Sequence, residues 1–147
     1  MEPDDDARLD RLESLADITR LVNEYCIAMD DRDLERFAAL WHPDATWASS
    51  ARSVTGIRSI VDAIEDGWTK APRSRHFSAN LVIELDGDRA TSRSAVLIAV
   101  QFPDGARSRY GRDFSDVFER RSGEWRIASR TVGESVPLDG VPEAFGA

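Results

Sequence analysis

Histidine is scarce in this chain, and the two that occur, His42 and His76, stand in unlike settings. His76 opens the stretch "HFSAN", at the mouth of a run in which Phe77, Leu81, Ile83 and Leu85 alternate with polar residues. An imidazole in such a place has two ordinary fates. It caps backbone groups at a strand end, or it faces a pocket and works as a general base. The second role needs a carboxylate that holds the ring in one tautomer, so a partner has to be sought elsewhere. His42 lies in "WHPDAT". Two histidines this far apart, with no evident third ligand, do not predict a metal site.

The candidate acids cluster in "MDDRD", where Asp30, Asp31 and Asp33 compete. Helical spacing separates them. Ile18, Val22, Tyr25, Cys26 and Met29 form one apolar face, and Asp30 follows Cys26 by four positions and Tyr25 by five. That puts Asp30 at the edge of the buried stripe while Asp31 and Asp33 point elsewhere. Tyr25 has two open readings: a hydroxyl presented to a cavity, or a core aromatic with its hydroxyl tied to the backbone. Arg130 ends "WRIASR", and strand alternation sets it with Arg126 and Ala128, opposite Trp125, Ile127 and Ser129. Which side faces inward stays open at this level. Trp47, Trp68 and Phe114 read as core or cavity wall, and Asn80 closes the "HFSAN" stretch as a further cavity candidate.

Helices and strands must bring these residues together. Ser14 and Asp17 have the spacing of a capping box, predicting a helix from there to about Asp30, with Leu9, Leu12 and Leu15 as a backward extension or a separate turn. Asp33 then caps a short helix carrying Leu34, Phe37, Ala38 and Trp41, with Pro43 just past its end. A short strand from Ala45 to Ser49 follows, and "TGIRSIVDAIEDGW" is a third helix. From His76 the period changes to two. Strands are expected up to Leu85, over Ala90 to Phe102, around Tyr110 to Phe118 with a bulge near Asp116, and from Trp125 to Thr131. Helices followed by an antiparallel meander define an α+β domain.

The bulk numbers narrow the classes. A chain of 147 residues suits one domain, and 41% hydrophobic with 31% charged residues is ordinary for a soluble protein. The 19 basic and 27 acidic side chains give a net charge of −8, which opposes binding to nucleic acid or an anionic membrane. The strand-half arginines interleave with acids and read as solvated faces. A single cysteine, Cys26, excludes an internal disulfide. The acidic start is no secretory signal and nothing is apolar enough to span a bilayer, so a cytoplasmic location is expected. No phosphate-cradling glycine loop or nicotinamide fingerprint occurs, and the chemistry is expected to need neither cofactor nor metal.

The ordered fragments "YCIAMDDRD", "FAALWHPDATW", "GIRSI", "HFSAN" and "WRIASR" resemble the SnoaL-like family of the nuclear-transport-factor-2-like superfamily, from about Leu15 to Val132. The resemblance implies a cone-shaped α+β barrel. Three N-terminal helices would pack in the concave side of a strongly curved, mostly antiparallel sheet, with a pocket at its open end. Residues 1–14 are then an acidic extension, 15–133 the domain and 134–147 a C-terminal tail.

Family members that perform elimination share a histidine at a strand start paired with a first-helix aspartate. These positions match His76 and Asp30. Members of the bile-acid dehydratase type also match at Tyr25 and Arg130. The scytalone-dehydratase type carries a second histidine on the next strand, where this chain has only aliphatic residues and Gln101. The resemblance thus implies a cofactor-free lyase, dehydratase or dehydrohalogenase in type, acting on a small apolar or carbonyl-bearing, cyclic molecule. His76 would be the base and Asp30 its orienter. Tyr25 would donate to a developing enolate or assist a leaving hydroxide, and Arg130 would anchor a carboxylate or polarise the departing group. A ketosteroid-isomerase or polyketide-cyclase type of proton transfer, with Asp30 as base, is the alternative enzyme. A non-catalytic ligand-binding protein is the alternative class. Two partly apolar sheet faces further predict self-association, and the resemblance implies a trimer or a dimer.

Overall fold

The computed structural model describes residues 3–138. Its first helix, α1 (Pro3–Asp31), runs unbroken through the expected start at Ser14. Nothing in residues 4–13 breaks a helix, and Asp4, Asp5 and Asp6 sit in the first turn, where negative charge is favoured by the helix dipole. Ser14 is therefore an interior helical residue rather than a cap. It is buried, and its hydroxyl accepts the Trp125 indole N–H at 3.1 Å. Arg120 pins the same end of the helix through an ion pair to Asp10 at 2.6 Å.

Ser14→Ala strands the buried Trp125 donor. Loss of a single buried partner costs about 1–3 kcal/mol, which chemical denaturation would read directly. An unchanged denaturation midpoint would mean that water replaces the hydroxyl.

Arg32 turns the chain with φ 56, and Asp33 caps α2 (Leu34–Ala39) by accepting the Arg36 N–H at 2.9 Å. β1 (Trp41–Ala48) starts four residues earlier than the sequence pattern suggests and contains Pro43. It runs parallel to β6 (Glu124–Val132), with a register break between Trp41 and Thr46. Pro43 falls within that break, where its missing N–H leaves no ladder bond unmade. β2 (Ser53–Thr55) and α3 (Ile57–Lys70) follow.

The remaining sheet is a meander of β3 (Arg73–Asp86), β4 (Arg89–Gln101), β5 (Arg107–Arg121) and β6, with β7 (Val136–Pro137) added beside β5. The strand order is β2-β1-β6-β5-β4-β3, a curled and unclosed mixed sheet with the helices packed against it. The β5–β6 register shifts between Val117 and Phe118, one residue beyond the expected bulge.

β3 departs more consequentially from simple alternation. Its register against β4 slips between Ala79 and Val82, and Asn80 adopts φ 55 there. A bulge of this kind exchanges the two faces of a strand. Phe77 is consequently 56% exposed on the outer face, while Leu81, Ile83 and Leu85 turn inward against the core. The same slip lets Ser74 and His76 reach α1 although they lie at even positions. The core they meet is aromatic: Tyr25 contacts Phe37, Trp41 and Phe114 with ring centroids 5.4, 6.2 and 5.6 Å apart. Among the described residues no helix is long and apolar enough to cross a membrane.

Candidate active site

β3 begins at Arg73, so His76 is its fourth residue rather than its first, and its ring reaches the C-terminal end of α1. Nδ1 of His76 lies 2.6 Å from Oδ1 of Asp30. The His76 backbone N–H donates to Oδ2 of the same carboxylate at 2.9 Å, and Ser74 Oγ stands 3.4 Å from Oδ1. Both side chains are nearly enclosed, at 7% and 5% exposure. A carboxylate can only accept, so it assigns the ring proton to Nδ1 and leaves the Nε2 lone pair free. Backbone and ring thus grip one carboxylate twice, fixing the imidazole in position and tautomer.

His76 lines a cavity of about 300 Å³ between α1, α3 and the concave sheet. Tyr25, Trp47, Trp68 and Phe114 line it too, with Ile98 and Val132 among the apolar wall. Burial, the largest influence, pushes the Tyr25 phenol above its usual range against the opposing charge of Arg130, so the hydroxyl keeps its proton. Trp68 is held from behind: Arg32 lies over its ring at 5.6 Å and donates to the Ala71 carbonyl at 2.7 Å.

The other candidates fall elsewhere. Asn80 is exposed at the β3 bulge and is not among the cavity residues, because its left-handed backbone turns it out of the strand's pleat. Arg130 is fully buried one layer behind the cavity wall. Its guanidinium lies 3.9 Å from the Tyr25 ring centroid and 4.1 Å from that of Phe114. Nε and Nη2 each bond to the Asp116 carboxylate at 2.7 Å. Burial opposes the Arg130 charge, but the Asp116 charge and its hydrogen bonds outweigh it and hold the guanidinium above its usual value. This arginine is balanced by Asp116 and is not among the cavity residues, while its buried Nη1 has no hydrogen-bond partner among the described residues. His42 is buried, with Nε2 2.8 Å from the Glu119 carbonyl. Burial pushes the Cys26 thiol up to about 11, which rules it out as a nucleophile near neutrality. Among the described residues no three His, Cys, Asp or Glu side chains converge on a common metal position.

Two arginines of the cavity were not singled out by the sequence. Arg52 and Arg112 both line the cavity. For Arg112 a signal was present: in "YGRDF", Tyr110, Arg112 and Phe114 share one face of β5, and that face bears aromatic residues. Arg52 sits outside any regular element and offered no such pattern.

Residues 10–131 match the SnoaL-like domain. The chain belongs to the SnoaL-like family. It is 30% identical over 139 residues to a gamma-hexachlorocyclohexane dehydrochlorinase from Sphingobium indicum, an alignment covering 90% of this chain and 89% of that relative. A second dehydrochlorinase of the same species is 27% identical. The crystal structure of LinA superposes with a TM-score of 0.83 at 28% identity, covering 91% of this chain and 95% of LinA. A putative scytalone dehydratase from Novosphingobium aromaticivorans reaches 0.78 at 20% identity, a likeness of fold alone. The fold is the α+β cone of the nuclear-transport-factor-2-like superfamily, and the curated relatives are enzymes of the lyase type.

Proposed function

We propose that this SnoaL-like protein is a cofactor-independent lyase of the dehydrohalogenase or dehydratase type, acting on a small, ring-shaped substrate. The observation that carries the reading is the 2.6 Å contact between His76 Nδ1 and Asp30 at the wall of a cavity lined by apolar and aromatic side chains together with two arginines. His76 Nε2 removes a proton from a substrate carbon. The freed C–H pair becomes the new C=C bond, and a halide or hydroxide leaves the adjacent carbon with its own bonding pair. Asp30 balances the imidazolium so formed, and the Tyr25 hydroxyl donates toward the departing group or an adjacent oxygen.

A carboxylate-base isomerase would need Asp30 to touch the substrate. Both Asp30 oxygens are engaged by His76, and Asp30 is not among the cavity residues, which favours histidine as the base. The direct test is product analysis with gamma-hexachlorocyclohexane, the compound in the relatives' name, beside ring alcohols bearing an activated C–H next to the hydroxyl carbon. Release of chloride or water with a matching alkene supports the reading. Isomerised product without a leaving group would replace it by the proton-transfer alternative.

Self-association belongs to the same reading. The outer sheet face pairs Phe77 with Leu97, and Leu97 with Gly111, beside Val136, and Phe77, Val82, Leu97 and Val136 are all exposed. An apolar stripe of this kind on a small domain calls for a second copy. Light scattering should give a multiple of 16.4 kDa, and Phe77→Glu combined with Leu97→Asp should reduce it to the monomer. A wild-type monomer at micromolar concentration would refute this.

A further inference from the structure

The cavity lining contains two arginines, Arg52 and Arg112, and no aspartate or glutamate among the described residues. In a chain of net charge −8 that is an unexpected local balance. The two cations are not equivalent. Arg52 is engaged at the rim, donating to the Ala63 carbonyl at 2.6 Å and standing 3.5 Å from the Asp66 carboxylate. Arg112 has one hydrogen bond among the described residues, from Nη1 to the Gly133 carbonyl at 3.3 Å, and no carboxylate partner. Its guanidinium lies 5.4 Å from the Tyr110 ring centroid.

The register fixes where Arg112 sits relative to His76. His76 pairs with Ile98 and Ile98 with Tyr110, while Ser78 pairs with Val96 and Val96 with Arg112. Val96 and Ile98 are buried, so this is the concave face. Arg112 is two strands across from His76 and one two-residue step along. With strands about 4.8 Å apart and about 3.4 Å per residue, the two backbones are roughly 12 Å apart. Both side chains line the same cavity of about 300 Å³, so one small ring can meet both.

A half-buried guanidinium without an anionic partner is costly to desolvate, and a bound carboxylate supplies the planar, two-oxygen acceptor that it matches best. We propose that the substrate is a ring compound bearing a carboxylate, and that Arg112 is the residue binding that carboxylate while the opposite side of the ring meets His76. This rests on the cavity being the substrate site, as argued above, and it gives the anchoring role to Arg112, which lines the cavity, in place of Arg130, which does not.

The test compares cyclohexanecarboxylate with its neutral isostere cyclohexanecarboxamide by calorimetric titration of the full chain, in a buffer free of other carboxylates. The wild type should bind the acid at least about tenfold more tightly than the amide, a charge-assisted bidentate contact exceeding a neutral one by that much. Arg112→Met should abolish the preference, and Arg112→Lys, which keeps the charge without the fork, should retain part of it. Circular dichroism verifies folding, and Arg112→Gln replaces the methionine variant should that one not fold. Equal binding of both probes, a preference that survives loss of Arg112, one that disappears with Arg52→Met instead, or no binding of the acid at millimolar concentration each overturn the proposal. His76→Ala should keep the preference. A wild type that prefers the acid yet never eliminates would sink the lyase reading and leave this one standing, and elimination from neutral rings without any acid preference would do the reverse.

Discussion

His76→Ala should lower kcat by at least about a thousandfold while changing KM little, since it removes a base used in the transition state. The effect follows from geometry: Nε2 is the one nitrogen of the ring left free by Asp30, and the ring faces the cavity. Retention of more than a tenth of the wild-type rate by a folded His76→Ala protein would exclude His76 as the base.

Asp30→Asn should cost roughly 10²- to 10⁴-fold, and the reason lies in the two donors that share the carboxylate. Oδ2 accepts the His76 backbone N–H and Oδ1 takes Nδ1. An asparagine has one oxygen. If that oxygen meets the backbone N–H, the amide NH₂ meets Nδ1 and forces the ring proton onto Nε2, where no base remains. If it meets Nδ1, the NH₂ opposes the backbone donor and pushes the strand away. Neither arrangement balances an imidazolium. A rate for Asp30→Asn near wild type, with His76→Ala inactive, would reduce Asp30 to a structural contact.

Much of this site was legible before any coordinates. Helical spacing chose Asp30 over Asp31 and Asp33, because membership of a stripe depends only on the helix period. The match to the family's histidine then singled out His76. What escaped depended on register. Phe77, Leu81, Ile83 and Leu85 look like one face of one strand, yet the slip at Asn80 divides them between the two faces. No residue type announces such a bulge, since Asn80 itself is unremarkable in "HFSANL". The helix start failed for a related reason: Ser14-x-x-Asp17 is a cap only if the preceding residues leave the helix, and a tertiary partner, Trp125, kept Ser14 inside it. Arginines were the least legible of all. Arg112 and Arg130 belong to the same charged background as Arg93, which pairs with Asp113 at the exposed surface, and their inward direction emerges only once the β3–β6 register is known.

The buried pair behind the cavity leads to the other large expected effect. Asp116→Ala leaves the Arg130 guanidinium enclosed between Tyr25 and Phe114 with nothing to balance it. Breaking a buried ion pair from one side costs about 3–5 kcal/mol, which in a domain of this size lowers Tm by roughly 10 °C. The pair itself is a different matter. Replacing both partners, as Asp116→Leu with Arg130→Met, removes two desolvated charges together and fills the space with apolar atoms, so most of the lost stability should return. That recovery separates the penalty of an orphaned charge from any net worth of the bridge. The cavity provides a second readout, since the guanidinium is one face of the stack that holds Tyr25. In the double variant Tyr25 loses a cation at 3.9 Å and with it the influence that opposes burial, so its phenol should titrate still higher, visible in the ultraviolet difference spectrum. If Asp116→Ala melts within a degree or two of wild type, the guanidinium has found water or another acceptor, and the stack is looser than the 2.7 Å bonds to Asp116 imply.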